Sequence, residues 1–226
     1  MGKALFVTGT GTDVGKTYVT GLIVKKLHED GVNAAYYKAA MSGNDRDENG
    51  NLIPGDAKWV KDISGISQPL DETCPYIYET AVSPHLASRL EGNPVKLDVV
   101  KDNYKKIIDK YDYVTVEGSG GILCPIDFDT EKVWLEDVIK GLGLDCIIIA
   151  DAGLGTINSV VLTCEYMKNK NMQVKGIIFN NWTGDVMQED NVRMCEYMTG
   201  VKIIAKVSKG DTDIDIDTEL LKSLYE

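Results

Sequence analysis

The chain has 226 residues, of which 43% are hydrophobic, and its 24 Lys+Arg against 35 Asp+Glu give a net charge of −11. That length and apolar content suit a single domain over residues 1–226 with a sizeable core, and exclude a disordered chain. The acidic balance argues against nucleic-acid and anionic-membrane partners, which need clustered positive charge, and no apolar run approaches the ~20 residues of a membrane helix.

In chain order, residues 4–8 are apolar and predict a buried first strand, too short for a secretory signal. A Gly-rich turn follows. Residues 16–30 place Val19, Leu22, Ile23 and Leu27 at helical spacing, with Gly31 as the stop. Residues 34–38 predict a second strand. Residues 43–55, polar and rich in Gly, Asn and Asp, have the composition of a mobile loop, and a helix is expected to start near Asp56. Residues 97–110 form a helix whose apolar stripe is Val100, Tyr104, Ile107 and Ile108. Strands are expected at 113–116, 146–150, 174–179 and 201–207, and helices at 157–168, 187–198 and 218–225. Residues 211–217 alternate Asp with Thr and Ile, which reads as a solvated acidic loop in preference to a metal-binding run. Apolar β-branched strands separated by helices indicate an α/β fold, a mostly parallel sheet with helices on both faces. The cysteines (Cys74, Cys124, Cys146, Cys164 and Cys195) are odd in number and contain no C-x-x-C pair. They read as reduced thiols packed as small hydrophobes, consistent with a cytoplasmic protein.

The strongest signal is Gly9-Thr-Gly-Thr-Asp-Val-Gly-Lys-Thr17, which follows a strand and opens a helix. There, backbone N–H groups and a helix N-terminus can cradle phosphates. Gly15 lets the backbone approach, Lys16 can reach the β/γ-phosphates, and the Thr17 hydroxyl can ligate Mg²⁺. The usual phosphate-loop pattern is stretched by one residue between Gly9 and Gly15. A dinucleotide fingerprint fits worse, because Lys38 ends the second strand where an acidic ribose partner belongs.

Glu117 ends a strand and precedes Gly118-Ser-Gly-Gly121, the position at which open α/β sheets bind ligands. A carboxylate beside phosphates needs a bridging cation, for which Mg²⁺ is the hard, oxygen-seeking choice. Asp56 is either a second ligand of that cation or the N-cap of its own helix. Lys38 is either solvated or, being close to the phosphate loop, a second neutralising cation. His85 is either a site residue or a helix-start residue that packs locally, and His28 reads as a surface residue near a helix end.

The ordered set of motifs resembles the dethiobiotin synthetase family. The stretched loop is that family's variant. Tyr37-Lys-Ala-Ala-Met-Ser-Gly43, Gly55-Asp-Ala57, Ser83-Pro-His85, Val116-Glu-Gly-Ser-Gly-Gly121, Leu154-Gly-Thr-Ile-Asn158 and Asn180 all have counterparts, over roughly residues 3–207. The resemblance implies closure of a ureido ring on 7,8-diaminononanoate with CO2 and ATP, in biotin biosynthesis. It implies that Lys16, Lys38 and Ser42 serve the carbamate and the transferred phosphate. It implies nucleotide contacts from Gly11, Thr12, Asp13, Val14, Gly15, Lys16 and Thr17, from Asp56 and Glu117, from Asn180 and Asn181 beside adenine, and from Ser208, Lys209 and Gly210. It implies Mg²⁺ on Thr17, Asp56 and Glu117. Substrate would be held by Ser42, Gly118, Ser119, Gly120 and Gly121, and, across a homodimer interface, by Leu154, Gly155 and Asn158 at a helix N-terminus. Three departures from the family stand out: Gly11 in place of an Asp, Ala39-Ala40 in place of a Pro, and no Pro in Val207-Ser-Lys-Gly210.

Two other readings compete. A glutamine-dependent amide synthase of the cobyrinate type needs a second domain for which no residues are left. A partition or septum-positioning ATPase switch would carry an early lysine in its phosphate loop, where this chain has Thr10-Gly-Thr12.

Overall fold

β-branched, wholly apolar runs are stable only when both of their faces are covered, and here they pair with one another. The computed structural model describes residues 2–225. The elements run β1 (Lys3–Gly9), α1 (Lys16–Glu29), β2 (Ala34–Lys38), β3 (Ala40–Met41), α2 (Gly55–Ser64), a 3₁₀ turn (Leu70–Glu72), β4 (Tyr76–Ile77), α3 (Pro84–Glu91) and α4 (Leu97–Lys110). They continue β5 (Tyr113–Glu117), β6 (Pro125–Asp127), β7 (Val133–Trp134), α5 (Leu135–Leu142), β8 (Cys146–Asp151), α6 (Thr156–Asn169), β9 (Val174–Asn180), α7 (Val186–Thr199), β10 (Ile203–Lys206) and α8 (Thr218–Ser223). Six strands form one parallel sheet in the order β10-β9-β8-β1-β5-β2.

Alternation along each strand divides the core in two. Phe6, Val116 and Ile148 point to the face covered by α3 to α7, whereas Leu5, Val7 and Ile149 point to the face covered by α1, α2 and α8. In-register parallel pairing sets Lys38 beside Glu117 and Asp151 beside Asn180. The candidate residues therefore collect at one edge, the carboxyl ends of the strands.

The structure corrects the reading of the 211–217 tail and adds detail to the 43–55 loop. The 211–217 tail is not a solvated loop, because Ile214 and Ile216 are buried between exposed aspartates. It is strapped along α1, where the Tyr18 hydroxyl donates to Asp211 O and Lys25 Nζ donates to Thr212 O at 2.6 Å. The 43–55 segment is folded on itself. Asp47 Oδ1 accepts from the Asn49 and Asn51 amides at 2.9 and 2.8 Å, and Arg46 clamps Glu79 through Nε and Nη2 at 3.0 and 2.8 Å. The last strand begins at Ile203, later than residue 201, and the short pairs β3–β4 and β6–β7 had no signal in the sequence. No helix among the described residues is long and apolar enough to cross a membrane.

Candidate active site

The phosphate loop joins the central strand β1 to α1. Gly15 caps that helix at φ 86°, in the left-handed region where a side chain is strained, and a Cβ there would sit 2.0 Å from Asn180 Nδ2. No side chain caps α1, and its first turn holds no acidic residue, so its amides and positive end remain open to an anion. Lys16 Nζ donates to Gly11 O at 2.8 Å, back across the loop. Burial holds its pKa below the ordinary lysine value, against the pull of Glu117.

Beside the loop sits a charge cluster built from three elements. Lys38, at the end of β2, donates to Glu117 Oε1 at 2.7 Å and to Asp56 Oδ2 at 2.6 Å. Thr17 Oγ1 donates to the same Glu117 Oε1 at 2.8 Å, and the Tyr36 hydroxyl donates to Glu117 Oε2 at 3.0 Å. Glu117 is 1% and Lys38 6% exposed, whereas the Asp56 side chain keeps 38% of its surface. Burial disfavours the Lys38 ammonium, but the charges of Glu117 and Asp56 and the hydrogen bonds to both outweigh it, so its pKa lies above the ordinary value. Asp56 pays a similar desolvation penalty and is nonetheless held below the usual carboxylate range, chiefly by Lys38. Its N-cap alternative fails: Pro54 is the N-cap of α2 and Asp56 lies in the first turn with its carboxylate on Lys38. Three hard oxygen donors from Thr17, Asp56 and Glu117 thus meet around one ammonium, and this set fits a divalent cation next to a phosphate. Among the described residues no cluster of three His, Cys, Asp or Glu side chains suits a metal held by protein alone.

A cavity of about 660 Å³ opens over this cluster. Its walls include Thr12, Asp13, Gly15, Lys16 and Thr17 from the loop, then Lys38, Asp56 and Glu117, and Ser42, Ser119 and Gly120 on the far side. Ser42 Oγ donates to Val82 O at 2.5 Å and Ser119 Oγ to Ala40 O at 3.1 Å. Gly11, Val14, Gly118 and Gly121 are neighbours in sequence of these residues and do not themselves line the cavity. Asn180 lies behind the loop, 5% exposed, with Nδ2 donating to Val14 O at 3.1 Å and Oδ1 buried without a partner. Asn181 is exposed and donates to Asp151 Oδ2 at 2.6 Å. Ser208, Lys209 and Gly210 lie on the same edge but outside the cavity, with the Ser208 amide on Asp211 Oδ2 at 2.8 Å. Leu154, Gly155 and Asn158 also lie outside it, at the uncapped start of α6, where Leu154 is 92% exposed. His85 does not line the cavity; its Nδ1 lies 3.0 Å from Oγ of Ser83, at the start of its own helix. His28 is exposed.

Sequence reasoning missed Tyr36, which looks like one more apolar strand residue, and Cys124, a half-buried thiol in the cavity wall. It also missed Asn44, whose Oδ1 accepts from the Gly55 amide at 2.8 Å and so sets the start of the helix that carries Asp56. Long-range partners of this kind leave no local signal.

A Gly-Lys-Thr loop on the central strand of a parallel sheet, with an acidic residue ending the neighbouring strand, defines a P-loop nucleotide-binding protein. Solved structures agree on the fold. The MinC:MinD cell division complex of Aquifex aeolicus matches with a TM-score of 0.56 at 13% identity, covering 92% of this chain and 81% of that one. A ParA family ATPase from Chlorobium tepidum matches at 0.53 and 15%, covering 93% and 84%. A family model described as an AAA domain matches residues 3–212. Sequence relatives are much nearer. An ATP-dependent dethiobiotin synthetase of Brachyspira hyodysenteriae is 49% identical over 100% of both chains, and one of Clostridium novyi is 47% identical over 92% of this chain and 88% of its own. The chain belongs to the dethiobiotin synthetase family.

Proposed function

We propose that the chain closes the ureido ring of dethiobiotin from 7,8-diaminononanoate, CO2 and ATP, the step for which its relatives are named. The observation that carries this reading is the Lys38 cluster. A buried ammonium held by two carboxylates, one of which also accepts from the Thr17 hydroxyl, beside an open phosphate loop, suits the joining of a carbamate to a phosphoryl group.

A neutral amine of the substrate adds to CO2 and loses a proton, giving a carbamate. One carbamate oxygen attacks the γ-phosphorus, the bond to the bridging oxygen breaks, and ADP leaves. The second amine then attacks the carbonyl carbon of the mixed anhydride and expels phosphate. Charge builds on oxygens throughout, so electrostatic stabilisation is the main requirement and no protein nucleophile is needed. Lys16 swings from Gly11 O to the β/γ-phosphates. Lys38 faces the carbamate and the moving phosphoryl group. Ser42 and the 118–121 backbone position the diamine. Thr17, Asp56 and Glu117 would hold Mg²⁺, which would neutralise phosphate charge when bound.

Asn180 suits adenine. Its Nδ2 is committed to Val14 O, so the free Oδ1 is an acceptor matched to an exocyclic amine. Asn181 and residues 208–210 are proposed as the outer wall of the base site. A second copy of the chain is proposed to cover Leu154, with the uncapped start of α6 at Gly155 and Asn158 taking the distal carboxylate of the diamine bound in its partner. A cytoplasmic protein fits these small-molecule substrates and the free thiols.

The test is phosphate release from Mg-ATP with and without the diamine and bicarbonate. Release that requires both supports the ligase. Release indifferent to them would return the chain to the ATPase switches it resembles in fold.

A further inference from the structure

The mechanism above uses one oxygen of Glu117, and the other is gripped from behind. Tyr36 Oη donates to Glu117 Oε2 at 3.0 Å from a fully buried side chain. Tyr36 is itself fixed through its backbone: its N–H donates to Gln68 Oε1 at 2.8 Å and its carbonyl accepts from Gln68 Nε2 at 3.0 Å. β2 is an outer strand of the sheet, so Gln68 takes the place of a missing ladder neighbour there. Register explains the rest. Lys38 lies beside Glu117 and Tyr36 beside Thr115, and Tyr36 and Lys38 share one face of β2. Each therefore reaches a different oxygen of the same carboxylate.

We propose that Tyr36 is a positioning residue for this reaction: by occupying Oε2 it turns the single oxygen Oε1 of Glu117 to Lys38, Thr17 and the cation. The terminal torsion of a glutamate is broad and roughly two-fold, so an ungripped carboxylate has no fixed orientation. Without the phenol, a buried Oε2 has no donor and turns toward the donors that already hold Oε1, Lys38 and Thr17. Both the approach of Lys38 to the carbamate and the geometry offered to a cation are then lost. The proposal rests on the nucleotide reading above.

The test is Tyr36→Phe in the full-length protein, which keeps the ring and removes only the hydroxyl. Mn²⁺ binding in the presence of ADP, read by electron paramagnetic resonance, is expected to weaken about tenfold, in line with the loss of a hydrogen bond to a charged group. The kcat for phosphate release should fall by a similar factor, while KM for the diamine stays within about twofold. A cycle with Glu117→Gln separates positioning from packing. In that background Tyr36→Phe should change Mn²⁺ affinity by less than about twofold. Unchanged Mn²⁺ affinity in Tyr36→Phe, or an equal loss in both backgrounds, overturns the proposal. Failure of the wild type to bind Mn-ADP overturns the nucleotide reading instead, and the proposal falls with it. Should Tyr36→Phe not fold, the wild type labelled with ¹³Cζ-tyrosine decides: the Tyr36 resonance is expected to move when Mg-ADP binds, and a stationary resonance overturns the proposal.

Discussion

Lys38→Met tests the charge cluster directly. Methionine keeps most of the buried volume and removes the ammonium. Glu117, with none of its side chain exposed, then faces Asp56 with only the Thr17 and Tyr36 donors left. Two unit charges about 4 Å apart interact by about 4 kcal/mol at an effective dielectric of 20. Desolvation offsets part of this, and removing one partner of a buried pair typically costs about 3–5 kcal/mol. Because Asp56 is more than a third exposed and Glu117 keeps two donors, the lower end applies, about 3 kcal/mol. For a chain of this size that is a fall in Tm of about 6–12 °C. The pH dependence has a definite sign. Lys38 has a raised pKa, so its contribution is complete below the ordinary value of 10.5 and fades as pH rises through the folded one. Asp56 has a lowered pKa, so its contribution is complete above 3.8 and fades as pH falls. The gap between wild type and variant should therefore narrow as pH falls below 3.8, where the wild type begins to lose the Asp56 contribution. Adding Glu117→Gln to Lys38→Met should recover most of the stability and none of the turnover, which should be down at least about 100-fold. Urea unfolding at pH 3, 5 and 7 with a phosphate-release assay measures all of this. A stability loss under about 1 kcal/mol, or a gap that is no narrower at pH 3 than at pH 7, would refute the coupling of Lys38 to its two carboxylates.

Three further outcomes follow from the same site. Gly15→Ala places a methyl in the left-handed region against Asn180, so it should cost about 1–3 kcal/mol and abolish measurable ADP binding by calorimetry; normal binding would mean that the loop conformation is not required. Asn180→Ala should erode the preference for ATP over GTP by about tenfold in competition binding, and an unchanged ratio would take Asn180 out of base recognition. Cys124 is the one cysteine among the five that is not buried, and its thiol is pushed up to about 11 by burial. Alkylation at pH 8 should be slow, fall on Cys124 first by mass spectrometry, and be blocked by Mg-ADP; equal labelling with and without nucleotide would place the nucleotide elsewhere.

The architecture was legible where local pattern carries it. The helix at residues 97–110 and the strand at 34–38 were read to the residue, because apolar periodicity and a clean stop coincide there. Strand ends in turn located the site, since Lys38, Glu117 and Asn180 each terminate a strand and parallel strands deliver their carboxyl ends to one edge. The 43–55 segment is a loop, as its composition indicates, but side-chain staples such as Asp47 and Arg46 have no signal in that composition. The 211–217 tail misled because its alternation of Asp and Ile is a strand-like period read as charge, while the isoleucines are buried.

What sequence could not supply was the identity of partners. Lys38 was a strand-end lysine with two readings, and Asp56 an early-helix aspartate with two more. Their contact with each other, 18 positions apart and at 2.6 Å, removes the solvated reading of Lys38 and the N-cap reading of Asp56. The tertiary register that joins them also brings in Tyr36 and Gln68, neither of which belongs to a motif. The phosphate loop is self-contained because a helix N-terminus and a few glycines suffice to hold an anion. A buried carboxylate is different. Both of its oxygens need donors: Thr17 and Lys38 serve one, and Tyr36, two residues before Lys38 on the edge strand, serves the other. A search of the sequence for chemistry therefore finds the half of Glu117 that meets Lys38 and Thr17. The half that keeps Glu117 in place follows only from asking where its second oxygen goes.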